Sequence, residues 1–205
     1  IIETAAGEGE AQKIGDLYKS FMDTDAIKAR GLTPLAGDLA AIDAITDLPS
    51  FIATMAQLEM KGIGGIFGAA IYADSMNSSM NIFHIGQGGI SLPDEAYYRE
   101  DQYQPIREAF LAHVTKMGEL TNTPLDAEAI LALETEIASH HWDQVKDRDA
   151  TLTYNKTSRA ELEELAPHFH WDLWAANAQI PVAAFDSLNI HEPSFFSGLS
   201  AMLAD

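Results

Sequence analysis

The sequence has no cysteine in 205 residues, and that absence removes two classes of architecture. Neither a disulfide framework nor a thiolate metal site can form. A reducing compartment fits this, although exported bacterial proteins can also lack cysteine. Positive charge is scarce: 12 Lys and Arg stand against 31 Asp and Glu, a formal net charge of -19. Such a surface repels phosphate backbones and anionic headgroups, so nucleic acid and membrane surfaces are poor partners, while cationic peptides are permitted ones. Long apolar runs are missing too. The uncharged stretch Gly62–Ala73, bounded by Lys61 and Asp74, is too short to span a bilayer. The opening Ile1-Ile2-Glu3 has neither an initiator Met nor a basic n-region, so no signal peptide is read there. The expectation is a fragment or processed piece of something longer. Its localisation stays open, with the cytoplasm favoured.

Several catalytic motifs are absent as well. A zincin helix needs His-Glu-x-x-His, which sets two imidazoles on one helix face with a glutamate beside the metal-bound water. The sole His-Glu pair is His191-Glu192, and there Pro193 follows and Phe195 stands where the second histidine belongs. No glutamate has an aspartate four residues later. Gly62-Ile63-Gly64-Gly65-Ile66-Phe67 lacks the third glycine of a dinucleotide fingerprint, and no Gly-Lys-Ser/Thr occurs. Ser75, Ser78 and Ser79 fall in a polar stretch without a neighbouring base, so no nucleophile is assigned.

What is present is a chain with 47% hydrophobic residues, enough to bury a substantial core. Ala5–Glu10 is small and acidic and is expected to fray. From Ala11 the apolar residues Ile14, Leu17, Tyr18 and Phe21 recur at helical spacing. Asp23 ends that helix or caps the next, Asp25–Arg30, which Gly31 stops. Leu35, Leu39, Ile42 and Ile45 form another stripe. Asp47-Leu48-Pro49 opens a helix with Ile52, Met55 and Leu58 facing inward, ending near Gly62. Gly65–Ala73 and Asn81–Gly86 are expected to pair as a hairpin across a longer polar loop, Asp74–Met80.

A glycine-rich turn at Gly86–Gly89 leads to Leu92-Pro93, and Asp94 is placed to cap a helix with Tyr97 and Tyr98. A long helix with Ile106, Phe110, Val114 and Met117 follows. Thr123-Pro124-Leu125-Asp126 reads as a capping box opening a helix with Ile130, Leu133 and Ile137, to about Trp142. Lys146–Asp149 is a charged connector. Ser158-Arg159-Ala160-Glu161 is a second capping box, for a helix with Leu162 and Leu165 that Pro167 closes. Short helices follow around Trp171–Ala178 and Pro193–Ala204. The fold class read from this order is mainly α, a single bundle-like helical domain over residues 1–205 with a small inserted β-hairpin.

Seven histidines invite a search for ligands. Glu136 and His140 share a helix face, with His141 and Asp143 adjacent. An exposed i, i+4 acid–histidine pair accounts for them. The competing expectation, a metal site from Glu136, His140 and His141, predicts zinc uptake lost in His140→Ala. His168 and His170 flank Phe169 in what reads as a packed loop. His84 sits between Phe83 and Ile85 in a strand and points to the face opposite both. Tyr72, His84 and Gln87, near the hairpin, are the residues to probe first. No catalytic, metal or cofactor-binding residue is assigned in this chain, and no substrate-binding residue is fixed.

Several segments together resemble the neprilysin family of zinc endopeptidases. They are Leu17-Tyr18-Lys19-Ser20-Phe21-Met22-Asp23, Phe83-His84-Ile85 leading to Leu92-Pro93-Asp94-Glu95-Ala96-Tyr97-Tyr98, and Leu133-Glu134-Thr135-Glu136-Ile137-Ala138. Arg148-Asp149 and Thr153-Tyr154-Asn155-Lys156-Thr157-Ser158-Arg159-Ala160-Glu161-Leu162 complete the series, which runs from about Ala11 to Ala204. The resemblance implies the N-terminal, mostly helical lobe that faces a catalytic domain of the same polypeptide across an enclosed chamber. It implies zinc in the parent enzyme, small peptides as substrates, and a chemistry held in sequence beyond this chain. Phe21, Glu100 and Phe110 stand where extracellular animal members tend to carry disulfide cysteines, which points to a bacterial, cytoplasmic member. The alternative is a stand-alone helical binding module; a reading frame that stops at Asp205 would favour it.

Overall fold

The computed structural model describes residues 9–204, with the backbone alone for Val182. The fraying expected of Ala5–Glu10 therefore lies, for residues 5–8, outside the described residues. The chain divides into two compact units, one up to Asp43 and one from Ala44.

The first unit is helical: α1 (Glu10–Met22), α2 (Thr24–Arg30) and α3 (Ala36–Asp43). Asp23 caps α2, its carboxylate accepting the Ala26 N–H at 3.0 Å. Gly31, at φ +51°, closes that helix by donating to the Ile27 carbonyl at 3.1 Å, a conformation that L side chains resist.

The second unit starts with α4 (Leu48–Glu59), capped as its sequence foretells. The Asp47 carboxylate accepts the Ser50 N–H and the Ser50 hydroxyl accepts the Asp47 N–H, at 2.8 and 3.1 Å. Pro49 in the first turn lacks an N–H that would find no helical partner anyway. Then come β1 (Phe67–Asp74), β2 (Asn77–Gln87), α5 (Ala96–Arg99), α6 (Gln104–Thr121), α7 (Ala127–Ser139) and α8 (Gln144–Asp147). The chain ends with β3 (Lys156–Ser158), α9 (Arg159–Leu165), α10 (Trp171–Asn177), α11 (Val182–Phe185), β4 (Ser187–Ile190) and α12 (Pro193–Met202).

The chain is mainly helical, but its β element is more than an inserted hairpin. Among the described residues the strands form a four-stranded mixed sheet in the order β1-β2-β4-β3. β1 and β2 are antiparallel, with Ala70 opposite His84 and Gly68 opposite Gly86. β2 and β4 run parallel, with Phe83, His84 and Ile85 beside Leu188, Asn189 and Ile190. The expected long loop Asp74–Met80 is a tight turn at Ser75 and Met76. Asn77 to Met80, Ser78 and Ser79 included, belong to β2. The turn is held by Asp74, whose side chain accepts the Met76 N–H at 2.9 Å.

Two capping expectations need correction. Asp126 itself caps α7, accepting the Ala129 N–H at 3.0 Å, so Thr123 is not the cap. Asp94 accepts the Ala96 N–H at 2.9 Å from one residue outside the cap of α5. At Ser158 the reciprocal box with Glu161 forms as read.

The core lies on one face of the sheet. Phe83, Ile85, Leu188 and Ile190 project from it into an aromatic cluster of Phe67, Phe169, Trp171, Trp174, Phe185 and Phe196. Ring centroids lie 5.1 Å apart for Phe67–Trp174 and 4.3 Å for Phe169–Trp171, in tilted arrangements that suit ring quadrupoles. Ile52 and Met55 of α4 close the cluster from one side. The Trp174 indole N–H finds the Glu59 carboxylate at 2.7 Å, which satisfies a donor that burial would otherwise strand. No helix among the described residues is long and apolar enough to cross a membrane.

Candidate functional site

The other face of the sheet carries the polar cluster. Strand alternation sends Phe83 and Ile85 to the core and His84 the opposite way, as the sequence indicates. His84 is nonetheless buried, at 7% exposure, because β4 brings Asn189 and His191 alongside. His84 Nδ1 meets His191 Nε2 at 3.0 Å and Asn189 Nδ2 at 3.4 Å. The orientation of the Asn189 amide is fixed at both ends: its oxygen accepts the Asn155 N–H at 2.6 Å and its nitrogen donates to the Thr153 carbonyl at 2.9 Å.

Beside the histidines sits a carboxyl pair. Glu192 is 3% exposed and accepts the Gln87 N–H at 2.6 Å. Burial, reinforced by a hydrogen bond to the Asp147 side chain, pushes its carboxyl up to about 8. Burial and then the neighbouring His84 ring pull His191 below the usual imidazole range. These groups line a pocket of about 410 Å³ floored by Gly68, Ala70 and Gly86. Tyr72 stands edge-on to His84, with ring centroids 5.9 Å apart, and is 66% exposed.

The three residues singled out in sequence, Tyr72, His84 and Gln87, thus line one pocket. Their roles differ. The Gln87 side chain is occupied by Trp142, accepting its N–H at 2.7 Å and donating to its carbonyl at 3.1 Å. Asp147, His191 and Glu192 also line the pocket, and no sequence motif singles them out. Leu188-Asn189-Ile190-His191 alternates in polarity, but four residues are too few to mark a strand, and it is the pairing with β2 that sets His191 beside His84.

The acid–histidine cluster of α7 comes apart. His140 Nε2 lies 3.7 Å from Glu136, and its ring packs onto α12, where a Cβ at Gly198 would sit 2.3 Å from Nδ1. His141 turns away to the Gly88 carbonyl at 2.9 Å, and burial holds its pKa below the usual imidazole range. Asp143 caps α8 through the Val145 and Lys146 N–H groups, both at 2.9 Å. His168 and His170 are exposed on either side of the buried Phe169.

Two further networks fix the loops around the sheet. Tyr98 donates to Glu134 at 2.5 Å and accepts the Ser91 and Leu92 N–H groups at 3.1 and 2.9 Å. That pins Leu92-Pro93 over α7. Asp74, 1% exposed, accepts from Lys156 at 2.9 Å and from Tyr154 at 2.8 Å. The Lys156 ammonium, helped by the Met76 N–H and Tyr154, draws its carboxyl down to about 2.

A family model described as peptidase family M13 matches residues 1–205. The chain belongs to that family. M13 is the neprilysin family of metallopeptidases, and the match is to its N-terminal part. Endothelin-converting enzyme 1 of Cavia porcellus is 32% identical over 112 residues, 51% of this chain and 15% of that enzyme. The zinc metalloprotease ZMP1 of Mycobacterium tuberculosis, in complex with an inhibitor, superposes with a TM-score of 0.89 at 35% identity. That superposition covers 98% of this chain and 32% of ZMP1. PepO of Lactobacillus rhamnosis shares the fold at a TM-score of 0.74 and 17% identity, over 98% of this chain and 33% of PepO. The M13 chain described here therefore spans about a third of the length of its structural relatives.

Zinc is the metal that the M13 relatives' names imply, and the described residues do not fit it. No group of three or more His, Asp or Glu side chains among them is disposed to hold a metal ion. Each histidine cluster has another use: His141 holds Gly88, His140 packs on α12, and His84 and His191 face each other.

Proposed function

We propose that this chain is the non-catalytic lobe of a neprilysin-like zinc endopeptidase. It walls a chamber that admits oligopeptides and presents the outer face of its sheet to them. Zinc and the groups that activate its water belong, in this reading, to the remainder of the polypeptide, which is the lobe's principal partner. The observation that carries the reading is the superposition on a zinc metalloprotease over 98% of this chain and 32% of that one.

Exposed apolar side chains support it. Ile106, Met117 and Leu120 lie along α6 and Leu133 on α7, exposed by 44, 43, 67 and 57%. Apolar surface of this kind suits contact with another domain.

The test uses the full-length protein. Loaded with zinc, it is expected to cleave short peptides and to lose that activity on chelation. The same peptides embedded in a folded domain too large to enter should survive. Zinc-dependent hydrolysis by residues 1–205 alone would overturn the division of labour, and equal cleavage of embedded and free peptides would overturn the chamber.

A further inference from the structure

Two observations at the sheet pocket point to a ligand. The first is a donor without an acceptor. With the Asn189 amide nitrogen turned toward it at 3.4 Å, we assign His84 Nδ1 as an acceptor, and the 3.0 Å contact then has His191 Nε2 as its donor. An imidazole that accepts at Nδ1 carries its proton on Nε2. His84 Nε2 is buried and has no hydrogen-bond partner among the described residues, and its ring lines the pocket. An acceptor from outside would satisfy it once the side chains that seal the atom give way.

The second is a pair of carboxyls held together without a cation. None of the ion pairs among the described residues reaches Asp147 or Glu192. Lys146, next in sequence, lies over the Trp142 ring at 3.7 Å. Both carboxyls line the same pocket, and a lysine or arginine head brought to them would supply the counter-charge that none of the described ion pairs gives. The whole chain, at -19, favours the approach of such a group.

The floor is shaped for an extended chain. Gly68, Ala70 and Gly86 keep it low, and a Cβ at Gly68 would meet only the Gly86 carbonyl, at 3.8 Å. β1 lies at the end of the strand order, with its far edge unpaired among the described residues. An edge of that kind accepts an added strand.

We propose that this pocket binds a basic side chain of an extended peptide, its ammonium or guanidinium between Asp147 and Glu192, with a peptide carbonyl accepting from His84 Nε2. Tyr72 forms the exposed side wall. The proposal rests on the reading of the chain as a peptidase lobe only in taking peptides as the natural ligand.

The test is binding to the full-length protein, freed of zinc so that nothing is turned over. The probes are two dye-labelled, capped peptides of alternating Thr and Val, one with a central arginine and one with citrulline there. Anisotropy should give an Arg-to-citrulline affinity ratio of about 10 to 100, the span of a charge-assisted hydrogen bond. Asp147→Asn removes charge and keeps shape; Gly68→Leu fills the floor in open space. Each is expected to bring the ratio close to one, with melting temperature confirming the fold. A ratio near one in the unmodified protein overturns the proposal, as does a large ratio that survives both variants. If the zinc-loaded protein cleaves no peptide while the ratio and its loss are seen, the peptidase reading fails and the basic subsite stands.

Discussion

The side-chain amide of Gln87 forms a closed pair with the backbone of Trp142, N–H to oxygen at 2.7 Å and nitrogen to carbonyl at 3.1 Å. The pair joins the end of β2 to the loop between α7 and α8, the segment that delivers Asp147 to the pocket. Gln87→Ala leaves two backbone groups without partners and is expected to cost about 1–3 kcal/mol. Denaturant unfolding measures the loss, and hydrogen exchange should show the Trp142 amide losing protection. Retained protection in the variant would mean the loop is held by other contacts.

Glu192 makes stability fall with rising pH. Its carboxyl is held up to about 8 against an ordinary 4.5, so the folded state keeps a proton that the unfolded chain gives up. The stability tied to this proton is full below the ordinary value and is lost as pH climbs toward 8. Glu192→Gln should flatten that slope in urea titrations between pH 5 and 8, a window set by the two pKa values. An unchanged slope would assign it to another group.

Asp74 works in the opposite sense. Its carboxyl is drawn down to about 2 from an ordinary 3.8. Its contribution is present above the ordinary value and disappears as pH falls through the folded one. Asp74→Asn is expected to be less stable than the parent at neutral pH, with the gap closing under strong acid. A gap independent of pH would mean shape, and not charge, is what Asp74 supplies to Tyr154 and Lys156.

Trp174 is 1% exposed and touches the rings of Phe67, Phe83 and Phe185. Trp174→Ala should cost about 3–5 kcal/mol, the usual range for deleting a large core aromatic. Trp174→Phe fills most of the space but leaves Glu59 without its indole donor. Burial already raises the Glu59 pKa, and this variant should raise it further. A carbon-detected titration of Glu59 tests that directly.

Asp126→Ala should lose about 0.5–2 kcal/mol through the lost cap of α7, whereas Thr123→Ala should lose nothing through capping. Equal effects would return the helix start to Thr123.

How much was legible in sequence follows from the range of each interaction. The starts of α4 and α9 were readable because Asp47 with Ser50, and Ser158 with Glu161, settle them within three residues. The hairpin turn was placed too long because Asn77 to Met80 are exposed along β2 and lack the apolar alternation that marks a strand. β3 and β4 are three and four residues long, too short for a pattern, and they exist through pairing with distant segments. The pocket divides the same way. His84 and Tyr72 were visible from the hairpin itself, while Asp147, His191 and Glu192 arrive from α8 and the end of β4.

The parallel pairing of β2 with β4 joins residues about a hundred positions apart, 105 for His84 and Asn189. Until the ribosome has released Ile190, Phe83 and Ile85 have no sheet neighbour on that side, and closing so long an excursion is slow. While the hundred or so intervening residues are made, the nascent chain carries a hairpin whose apolar face has no lasting partner, the kind of transient surface that favours misassociation.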